Sequence, residues 1–181
     1  MVRFYTGLGD DGTTDLLGAR VAKDDPRIDA LGSLDEATSA IGLARSMVTE
    51  VGVREDLVAV QRDLYQIMAA LAFTPELRPA AYEFAQDRVD WLGAETDAVA
   101  ASVNLPREFI LPGESMPGAA LDVARTVTRR SERQVVALAR AGHQVNPTIL
   151  AYLNRLSSLL FIAARIEDRA AGRDPQRAKA R

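Results

Sequence analysis

Apolar residues recur every three or four positions along most of this chain, in five stretches that proline or glycine separates. In the first stretch, Ile28, Leu31, Leu34 and Ile41 follow this spacing. Such a period places apolar side chains on one face of an α-helix, whereas a half-buried strand would alternate. The five predicted helices cover residues 27–51, 55–73, 81–103, 117–140 and 147–171. The pattern therefore predicts an all-α fold, a five-helix up-and-down bundle.

The first 26 residues differ from the rest of the chain, because four glycines alternate there with threonines and aspartates. Glycine and small polar residues favour turns over helix, so residues 1–26 are predicted to form an ordered loop. Gly52 is expected to end the first helix, and the basic, polar tail at residues 172–181 is expected to fray. With neither a linker nor an internal repeat, all 181 residues are predicted to form one domain.

The composition of the chain argues against several function classes. It has no cysteine and a single histidine, His143, so a thiol nucleophile is excluded and a histidine-based metal centre or triad is not expected. The formal net charge of −3 gives no general attraction to nucleic acid or to an anionic membrane. No signal peptide is visible in residues 1–15, and no apolar run approaches the roughly 20 residues of a membrane span. We therefore expect a cytoplasmic protein without nucleic-acid or membrane partners.

The segment from Thr6 to Thr14, followed by Lys23, has the composition of a phosphate-binding loop. Its glycines allow backbone N–H groups to approach a phosphate, and its threonine hydroxyls and the Lys23 ammonium add donors and positive charge. Asp10 is a candidate ligand for Mg²⁺. The segment is not a Walker A loop, which needs Gly-Lys-Ser/Thr at the start of a helix. Taken alone, it fits a surface turn better than a phosphate site.

Four arginines form a ladder on the fourth predicted helix. Arg125, Arg129 and Arg133 are four positions apart and so project from one helical face, with Arg130 beside them. Arginine binds phosphate in a planar, two-point fashion, and an anion on this face would relieve the repulsion between the like charges. The alternative is a solvated face on which acidic residues of the same helix neutralise the arginines. The charge run alone slightly favours that alternative.

Asn154 lies in the middle of the fifth predicted helix, where asparagine has a poor helical propensity. Because leucines flank it, including Leu153 and Leu156, it is predicted to be partly buried. Two explanations stay open at this point: a polar contact between helices, or contact with a ligand.

Six segments of the chain resemble the PduO-type ATP:cobalamin adenosyltransferases, and they follow each other in the order found in that family. The segments are YTGLGDDGTT (residues 5–14), KDDPR (23–27), GSLDE (32–36), FILPG (109–113), VARTVTRRSER (123–133) and YLNRLS (152–157). Any one of them would be weak support, but six in order are highly specific. Together they span about residues 3–168.

The resemblance implies an enzyme that is a trimer of five-helix bundles with its active sites between neighbouring subunits. The substrates would be ATP, with Mg²⁺ held mainly through its phosphates, and cobalamin, which is reduced from cob(II)alamin to cob(I)alamin. The products would be adenosylcobalamin and triphosphate. A flavin reductase that supplies Co(I) and an adenosylcobalamin-dependent enzyme that receives the product are further expected partners.

The resemblance also implies roles for particular residues. The ATP-binding residues would be Thr6, Gly7, Leu8, Gly9, Asp10, Thr14, Lys23, Arg129, Arg130, Glu132, Arg133 and Asn154. Asp35 and Arg125 would form a pair across the subunit boundary. Phe109 would occupy the lower face of the corrin, displace its base and leave four-coordinate cobalt. The implied catalytic residues are Arg129, Asp35, Arg125 and Phe109, and the last three would also bind cobalamin.

Five positions depart from the family's usual pattern. Glu114 and Thr38 stand where the family usually has glycine and asparagine, and Ser158 stands where it usually has aspartate. Asp122 replaces a common histidine, and Asp11 replaces a common lysine. None of these changes removes an ATP-contacting position, whereas Glu114 and Thr38 would lie near the corrin.

The implied reaction fits the composition of the chain. Cob(I)alamin is itself a very strong nucleophile, so the protein needs no activated serine or cysteine. Its tasks would be to align the 5′ carbon of ATP with cobalt and to stabilise the charge on the departing triphosphate. The competing hypothesis is a non-catalytic helical bundle that binds ATP or cobalamin as a carrier or regulator. A plain structural bundle, the third reading, would bind neither.

Overall fold

A computed structural model describes residues 5–103 and 108–179, and five α-helices account for most of them. The helices are α1 (Pro26–Met47), α2 (Val51–Ala72), α3 (Gln86–Ala100), α4 (Met116–Arg140) and α5 (Pro147–Ala170). The five-helix bundle predicted from the apolar periodicity is therefore confirmed. Residues 1–4 of the predicted loop and 180–181 of the predicted tail lie outside the described residues.

Side-chain caps and prolines fix the start of three helices. Asp25, Ser115 and Asn146 immediately precede α1, α4 and α5, and the side-chain oxygen of each accepts a backbone N–H group from the first turn, at 2.8, 3.0 and 3.0 Å. Proline occupies the first or second helical position in all three helices. It loses no hydrogen bond there, because the first N–H groups of a helix have no partner within the helix. Local sequence thus determines where these helices begin.

The break between α1 and α2 does not lie at Gly52, and that prediction is wrong. Gly52 belongs to α2, and the break falls at residues 48–50 instead. Glu167 of α5 is only 1% exposed, and its carboxylate accepts the backbone N–H groups of Thr49 and Glu50, each at 3.0 Å. A buried carboxylate from the last helix therefore holds the break by accepting the N–H groups of the two residues directly before α2.

The third helix is shorter than predicted, since it begins at Gln86 rather than near residue 81. Two short 3₁₀ turns, Pro75–Leu77 and Ala80–Tyr82, precede it. Phe84 follows them outside the helix, is only 2% exposed, and packs edge-on against the ring of Tyr152 at 5.1 Å. Phe84 is thus buried in a loop, yet its spacing from the next apolar residues is that of a helical core residue. Periodicity alone cannot tell these two cases apart.

Four pairs of helices form the main contacts of the bundle: α1 with α2, α1 with α4, α4 with α5, and α5 with α3. Every helix contributes buried side chains to the core between them. Among these are Leu34, Ile41, Leu57, Leu64, Ile67, Leu92, Leu121, Leu138, Leu153 and Leu156. Burying one such side chain stabilises the fold by about 1.5–3 kcal/mol.

α5 is long and apolar enough to cross a bilayer when only length and composition are considered. The expectation that no apolar stretch approaches the length of a membrane span therefore does not hold for α5. Within the fold, 61% of the apolar window of α5 is buried. This is the behaviour of the core helix of a bundle.

Asp63 connects three helices. Its carboxylate, on α2, accepts two hydrogen bonds from Arg88 of α3, both at 2.8 Å, and one from the Tyr152 hydroxyl of α5 at 2.7 Å. Burial, together with the nearby Asp63 carboxylate, raises the pKa of Tyr152 well above its usual range. Hydrogen bonding to Asp63 raises the pKa of Arg88. The arginine therefore stays charged and the tyrosine neutral, which keeps the buried carboxylate paired.

A small antiparallel β-hairpin occupies part of the N-terminal segment, where only a loop was predicted. Strand β1 (Thr13–Leu16) pairs with strand β2 (Ala19–Ala22), and Asp15 lies opposite Arg20. The two-residue connection ends with Gly18, whose φ of +104° lies in the left-handed region that favours glycine. The strands are short and lack apolar alternation, so periodicity did not reveal them.

The hairpin is attached to the end of α2. The backbone N–H of Thr74 donates to the carbonyl of Leu17 at 3.1 Å, and Leu17 forms a β-bridge with Phe73. A Cβ atom on Gly18 would lie 2.6 Å from Leu77 Cδ1 and 3.0 Å from Thr74 Oγ1, so these side chains would have to move to admit it. The hairpin therefore has a fixed place on the bundle.

The polar tail is paired, and the prediction that it frays is wrong for residues 176–178. The backbone N–H of Leu111 donates to the carbonyl of Gln176, and that of Ala178 donates to the carbonyl of Phe109, both at 2.8 Å. An antiparallel bridge lies between these two bonds. The tail thus runs beside the segment that carries Phe109, a pairing between distant parts of the sequence that local composition does not show.

Asp56 on α2 gives the fold a pH-dependent weakness. Partial burial, together with the carboxylates of Glu95 and Glu55, raises its pKa from 3.8 to about 6. Since the pKa in the folded protein exceeds the unfolded value, the folded state binds more protons between about pH 4 and 6. The free energy of unfolding therefore falls as the pH rises through this window.

Asp56→Asn is expected to raise the free energy of unfolding by about 1 kcal/mol at pH 7, because it removes a half-buried charge next to two like charges. At pH 3.5 the wild-type carboxyl is protonated in the folded state and mostly protonated in the unfolded state, so the variant should gain almost nothing. Urea denaturation at the two pH values measures the difference. An equal change at both values would contradict the assigned cause.

Candidate functional site

The glycine- and threonine-rich loop (residues 6–14) folds back on itself through its glycines. Gly7 and Gly12 have φ values of +75° and +81°, which side chains with a Cβ rarely adopt. The backbone N–H of Asp10 donates to the carbonyl of Gly7, and that of Gly12 to Gly9, both at 3.2 Å. The exposed ATP-binding candidates of this loop are Thr6, Gly7, Leu8 and Asp10, while Gly9 and Thr14 are half-buried.

The structure brings Lys23 against this loop. The backbone N–H of Lys23 donates to the carbonyl of Gly12 at 2.9 Å. A Cβ atom on Gly9 would lie only 3.2 Å from Lys23 Nζ, so the glycine leaves room for the ammonium group over the loop. Lys23 itself remains exposed. A solvent-accessible positive charge therefore lies beside backbone that can turn its N–H groups outward.

Arg20 of β2 bonds to this loop, and sequence reasoning missed it. Its guanidinium donates to Asp15 at 2.9 Å, lies 3.5 Å from Asp11, and also bonds to the carbonyl of Leu8. The hydroxyl and backbone N–H of Thr13 donate to Asp11 and lower its pKa. A signal was available, because Arg20 and Asp15 stand on either side of a glycine turn. These contacts neutralise Arg20.

Two arginines of the ladder have carboxylate partners in the same chain. Arg125 Nε donates to Asp122, one turn earlier in α4, at 3.1 Å. Arg130 forms an ion pair with Glu36 of α1. The alternative interpretation, a neutralised face, therefore holds for these two arginines, although the second partner comes from another helix.

Arg129 and Arg133 have no carboxylate partner in residues 5–103 and 108–179, and both are exposed. They line a surface groove of about 700 Å³ on α4. The groove is lined by Arg129, Glu132, Arg133, Val136, Ala137, Arg140 and Ala141. Three arginines against one glutamate leave a net positive charge, which attracts an anion. Sequence reasoning missed Arg140, although its spacing of seven from Arg133 places it on the same face.

α1 connects the loop to the ladder. It begins at Pro26, directly after the loop and the hairpin, and Ser33 on it accepts a hydrogen bond from Ser131 Oγ of α4 at 2.5 Å. Seven residues of helix correspond to about 10 Å along the axis, so both elements lie at the same end of the protomer. Within the described parts of the chain, no hydrogen bond or ion pair joins residues 6–14 to Arg129 or Arg133.

Asn154 is exposed on α5, so the prediction that it is partly buried is wrong. Leu153 and Leu156 are fully buried, and Asn154 is displaced from Leu153 by about 100° around the helix. Its side chain makes no hydrogen bond to another helix among the described residues. The explanation of a polar contact between helices therefore fails within the protomer, and the amide is available to a ligand or another subunit.

The residues implied on the cobalamin side are also exposed. Phe109 is 90% exposed, an unusual position for a phenyl ring, while its backbone is fixed by the tail. Asp35 on α1 is exposed as well. Within one protomer Asp35 and Arg125 are not paired, since the carboxylate bound to Arg125 is that of Asp122.

Comparison with known proteins gives the family. Residues 4–167 match the family model of cobalamin adenosyltransferase. A corrinoid adenosyltransferase of Bacillus subtilis (strain 168) is 38% identical over 175 residues, which cover 94% of this chain and 89% of that protein. A corrinoid adenosyltransferase of Citrobacter freundii is 36% identical over 170 residues, which cover 93% of this chain and 96% of that protein.

Solved structures agree with the sequence comparison. A variant of a PduO-type ATP:corrinoid adenosyltransferase from Lactobacillus reuteri, complexed with cobalamin and ATP, aligns with a TM-score of 0.91 and 32% identity. The alignment covers 98% of this chain and 100% of that chain. The fold of the whole chain is therefore that of a helical adenosyltransferase. The chain belongs to the cobalamin adenosyltransferase family, which confirms the resemblance seen in its sequence.

Gly18→Ala is expected to loosen the hairpin from α2, because the new Cβ would clash with Leu77 at a φ that alanine rarely adopts. Amide hydrogen exchange should become faster at Thr74 and across residues 13–22, while the helices keep their protection. Gly12→Ala is the matched control: its φ is also positive, but no atom lies within 4 Å of the new Cβ. Equal protection of Thr74 in both variants would contradict the docking.

Proposed function

We propose that the chain is an ATP:cob(I)alamin adenosyltransferase, which transfers the 5′-deoxyadenosyl group of ATP to Co(I) of cobalamin and releases adenosylcobalamin and triphosphate. The observation that carries the proposal is a pair of arginines without carboxylate partners, Arg129 and Arg133, at the same end of the protomer as the glycine-rich loop and Lys23. Family membership, the names of the relatives and the L. reuteri complex with cobalamin and ATP support it.

The reaction needs a nucleophile that the substrate itself supplies. Co(I) attacks the 5′ carbon of ATP, the cobalt–carbon bond forms as the carbon–oxygen bond breaks, and the bonding electrons leave with the triphosphate oxygen. The leaving group thereby gains a negative charge. Arg129 and Lys23 stabilise that charge at close range, which lowers the barrier if they contact the departing oxygen more strongly than the bound ATP. No cysteine or serine nucleophile is required.

The ATP site would be completed between neighbouring subunits of a homotrimer. The loop and the ladder lie at the same end of α1, yet no bond joins residues 6–14 to Arg129 or Arg133 in the described protomer. Asn154 is exposed, and so are Asp35 and Phe109. The loop of one subunit would therefore cover the ladder and Asn154 of the next, and a closed ring of three makes one such site per subunit.

Mg²⁺ would be held mainly by the phosphates of ATP. The described residues contain no group of three or more His, Cys, Asp or Glu side chains that could hold a metal. Asp10, exposed in the loop, fits as one additional oxygen ligand. When bound, the ion would offset part of the charge of the triphosphate.

Phe109, Asp35 and Arg125 would form the cobalamin side. The exposed ring of Phe109 is attached to backbone that two hydrogen bonds to the tail hold in place. An apolar ring at the lower face of cobalt offers no ligand, so a displaced base is not replaced and Co(II) becomes easier to reduce. Asp35 of one subunit would meet Arg125 of its neighbour.

Three further parts of the proposal concern the surroundings of the enzyme. A flavin reductase would supply the electron that converts cob(II)alamin to cob(I)alamin. An adenosylcobalamin-dependent enzyme would receive the product. The location would be the cytoplasm.

Arg129→Ala is expected to lower the turnover rate about a hundredfold or more, because removal of one donor to a developing negative charge typically costs 10²–10³ in rate. The assay mixes the protein with ATP, Mg²⁺ and chemically reduced cobalamin and follows the spectrum of adenosylcobalamin. Arg62→Ala, which removes an exposed arginine from α2, is the matched control and should keep full activity.

Full activity in Arg129→Ala would show that the assigned role is wrong. A wild-type protein that binds both substrates but never gives the adenosylcobalamin spectrum would contradict catalysis and favour the non-catalytic carrier.

ATP with Mg²⁺, at about 100 times its dissociation constant, should raise the free energy of unfolding by about 2.7 kcal/mol. The rise follows because the ligand binds only the folded protein, and thermal unfolding measures it. Lys23→Ala should reduce the gain at the same ATP concentration, since it removes the exposed cation of the loop. A wild-type protein that gains nothing would contradict ATP binding and favour a plain structural bundle.

A further inference from the structure

A cluster of two arginines and two aspartates joins α4 to α5. Arg165 and Asp168 of α5 have side chains that are only 3% and 2% exposed, and that of Asp122 of α4 is 7% exposed. Arg125 of α4 is the outermost member, with a side chain 27% exposed. Charged residues are almost never buried unless they are paired, so the contacts within this cluster determine what it can do.

Asp122 is the shared member of the cluster. Its Oδ1 accepts a hydrogen bond from Arg125 Nε at 3.1 Å, and its Oδ2 accepts one from Arg165 Nη2 at 2.5 Å. The same Nη2 lies 3.1 Å from Asp168 Oδ2. One carboxylate thus connects a completely buried arginine to one that reaches the surface.

Asp168 connects the cluster to the start of α4. Its Oδ1 accepts a hydrogen bond from the Ser115 hydroxyl at 2.6 Å, and the same hydroxyl accepts the backbone N–H of Gly118 at 3.0 Å. A Cβ atom on Gly118 would lie 2.1 Å from Asp168 Oδ1, so only glycine permits this approach. Ser115 follows directly on the turn after Phe109. The cluster is therefore fixed at both helices and lies next in sequence to the Phe109 segment.

The charges balance only when Arg125 is included. Arg165 alone would face two aspartates, and Arg165 Nε has no hydrogen-bond partner among the described residues. With Arg125 bound to Asp122, two positive charges meet two negative ones. Arg125 therefore gains a fixed position from the same contacts that stabilise the buried charges.

The contact at Nε leaves the end of the Arg125 side chain free. In residues 5–103 and 108–179, Asp122 is the one hydrogen-bonding or ion-pairing partner of Arg125, and neither Nη group is engaged. Those two groups form the flat, two-point donor that arginine presents to a carboxylate or to a polar substrate group. An arginine held at Nε also loses less side-chain entropy when it binds a further group.

We propose that Asp122 is the positioning residue for Arg125, and that Arg165 and Asp168 hold Asp122 in place for this task. The proposal rests on the proposed function, in which Arg125 acts on the cobalamin side at the subunit boundary. Asp122 takes Nε and presents both Nη groups to the neighbouring Asp35 or to the corrin. A change in the cluster should therefore alter the affinity of the protein for cobalamin and leave its affinity for ATP unchanged.

The competing explanation is a purely structural cluster that only holds α4 against α5. Asp63→Asn provides the matched control, since Asp63 is also a buried aspartate with an arginine and a hydroxyl as donors, but it joins α2, α3 and α5, none of which carries the ladder. Both variants should lower the melting temperature. Only Asp122→Asn should also change the kinetics.

The experiment measures kcat/KM for cob(I)alamin and the KM for ATP in the spectral assay. Asp122→Asn should lower kcat/KM for cob(I)alamin about tenfold and leave the KM for ATP within about twofold, because the change acts through one residue of the cobalamin side. Asp63→Asn should leave both constants near those of the wild type. Asp122→Asn kinetics that match those of Asp63→Asn would overturn the proposal.

A double-mutant cycle tests whether Asp122 acts through Arg125. In an Arg125→Ala background, Asp122→Asn should have no further effect on kcat/KM for cob(I)alamin, whereas independent effects would multiply and overturn the proposal. Asp122→Glu keeps the charge and moves the carboxylate by one methylene, so it gives the same cycle with a smaller risk of unfolding. An inactive wild-type protein would instead refute the proposed function, which separates the two failures.

Discussion

The close approach of α1 and α4 places the glycine-rich loop with Lys23 and the arginine ladder at one end of the protomer. Ser33 and Ser131 allow this approach because both are small, and the Ser131 hydroxyl bonds directly to the backbone of α1. Ser131 is fully buried, so packing fixes its position. The positions of Arg129, Arg130 and Arg133 along α1 are therefore fixed as well. The loop takes its place from the same helix, which begins where the hairpin ends.

Sequence patterns predicted the helices because burial on one helical face leaves a period that is visible within a single stretch. They failed where structure depends on distant partners. Three contacts join segments far apart in sequence: the antiparallel bridge of the tail, the bonds of the Glu167 carboxylate just before α2, and the docking of the hairpin on Thr74. The late start of α3 has another cause, since a buried loop residue, Phe84, occupies a helix-like position in the pattern.

In the candidate site, too, local patterns were predicted from the sequence and contacts between distant segments were not. Spacing alone placed the arginines of the ladder on one face, but it did not tell which of them are neutralised. Arg130 is paired by Glu36, which comes from α1, whereas Arg129 and Arg133 are left without a carboxylate in the described chain. Asn154 was misjudged because its leucine neighbours are buried while it faces outward. Charge compensation between helices is a property of the fold, and a linear pattern does not contain it.

The pairing of the tail with the segment that carries Phe109 has a consequence for anyone who handles this protein. Residues 176–178 run antiparallel to the segment that carries Phe109 and are bonded to it. A peptide or domain fused to the tail would therefore begin close to Phe109, a residue of the proposed cobalamin side. Purification tags, surface-immobilisation handles and fluorescent labels are better attached elsewhere, such as at the exposed outer face of α2 near Arg62, when corrinoid binding is to be measured.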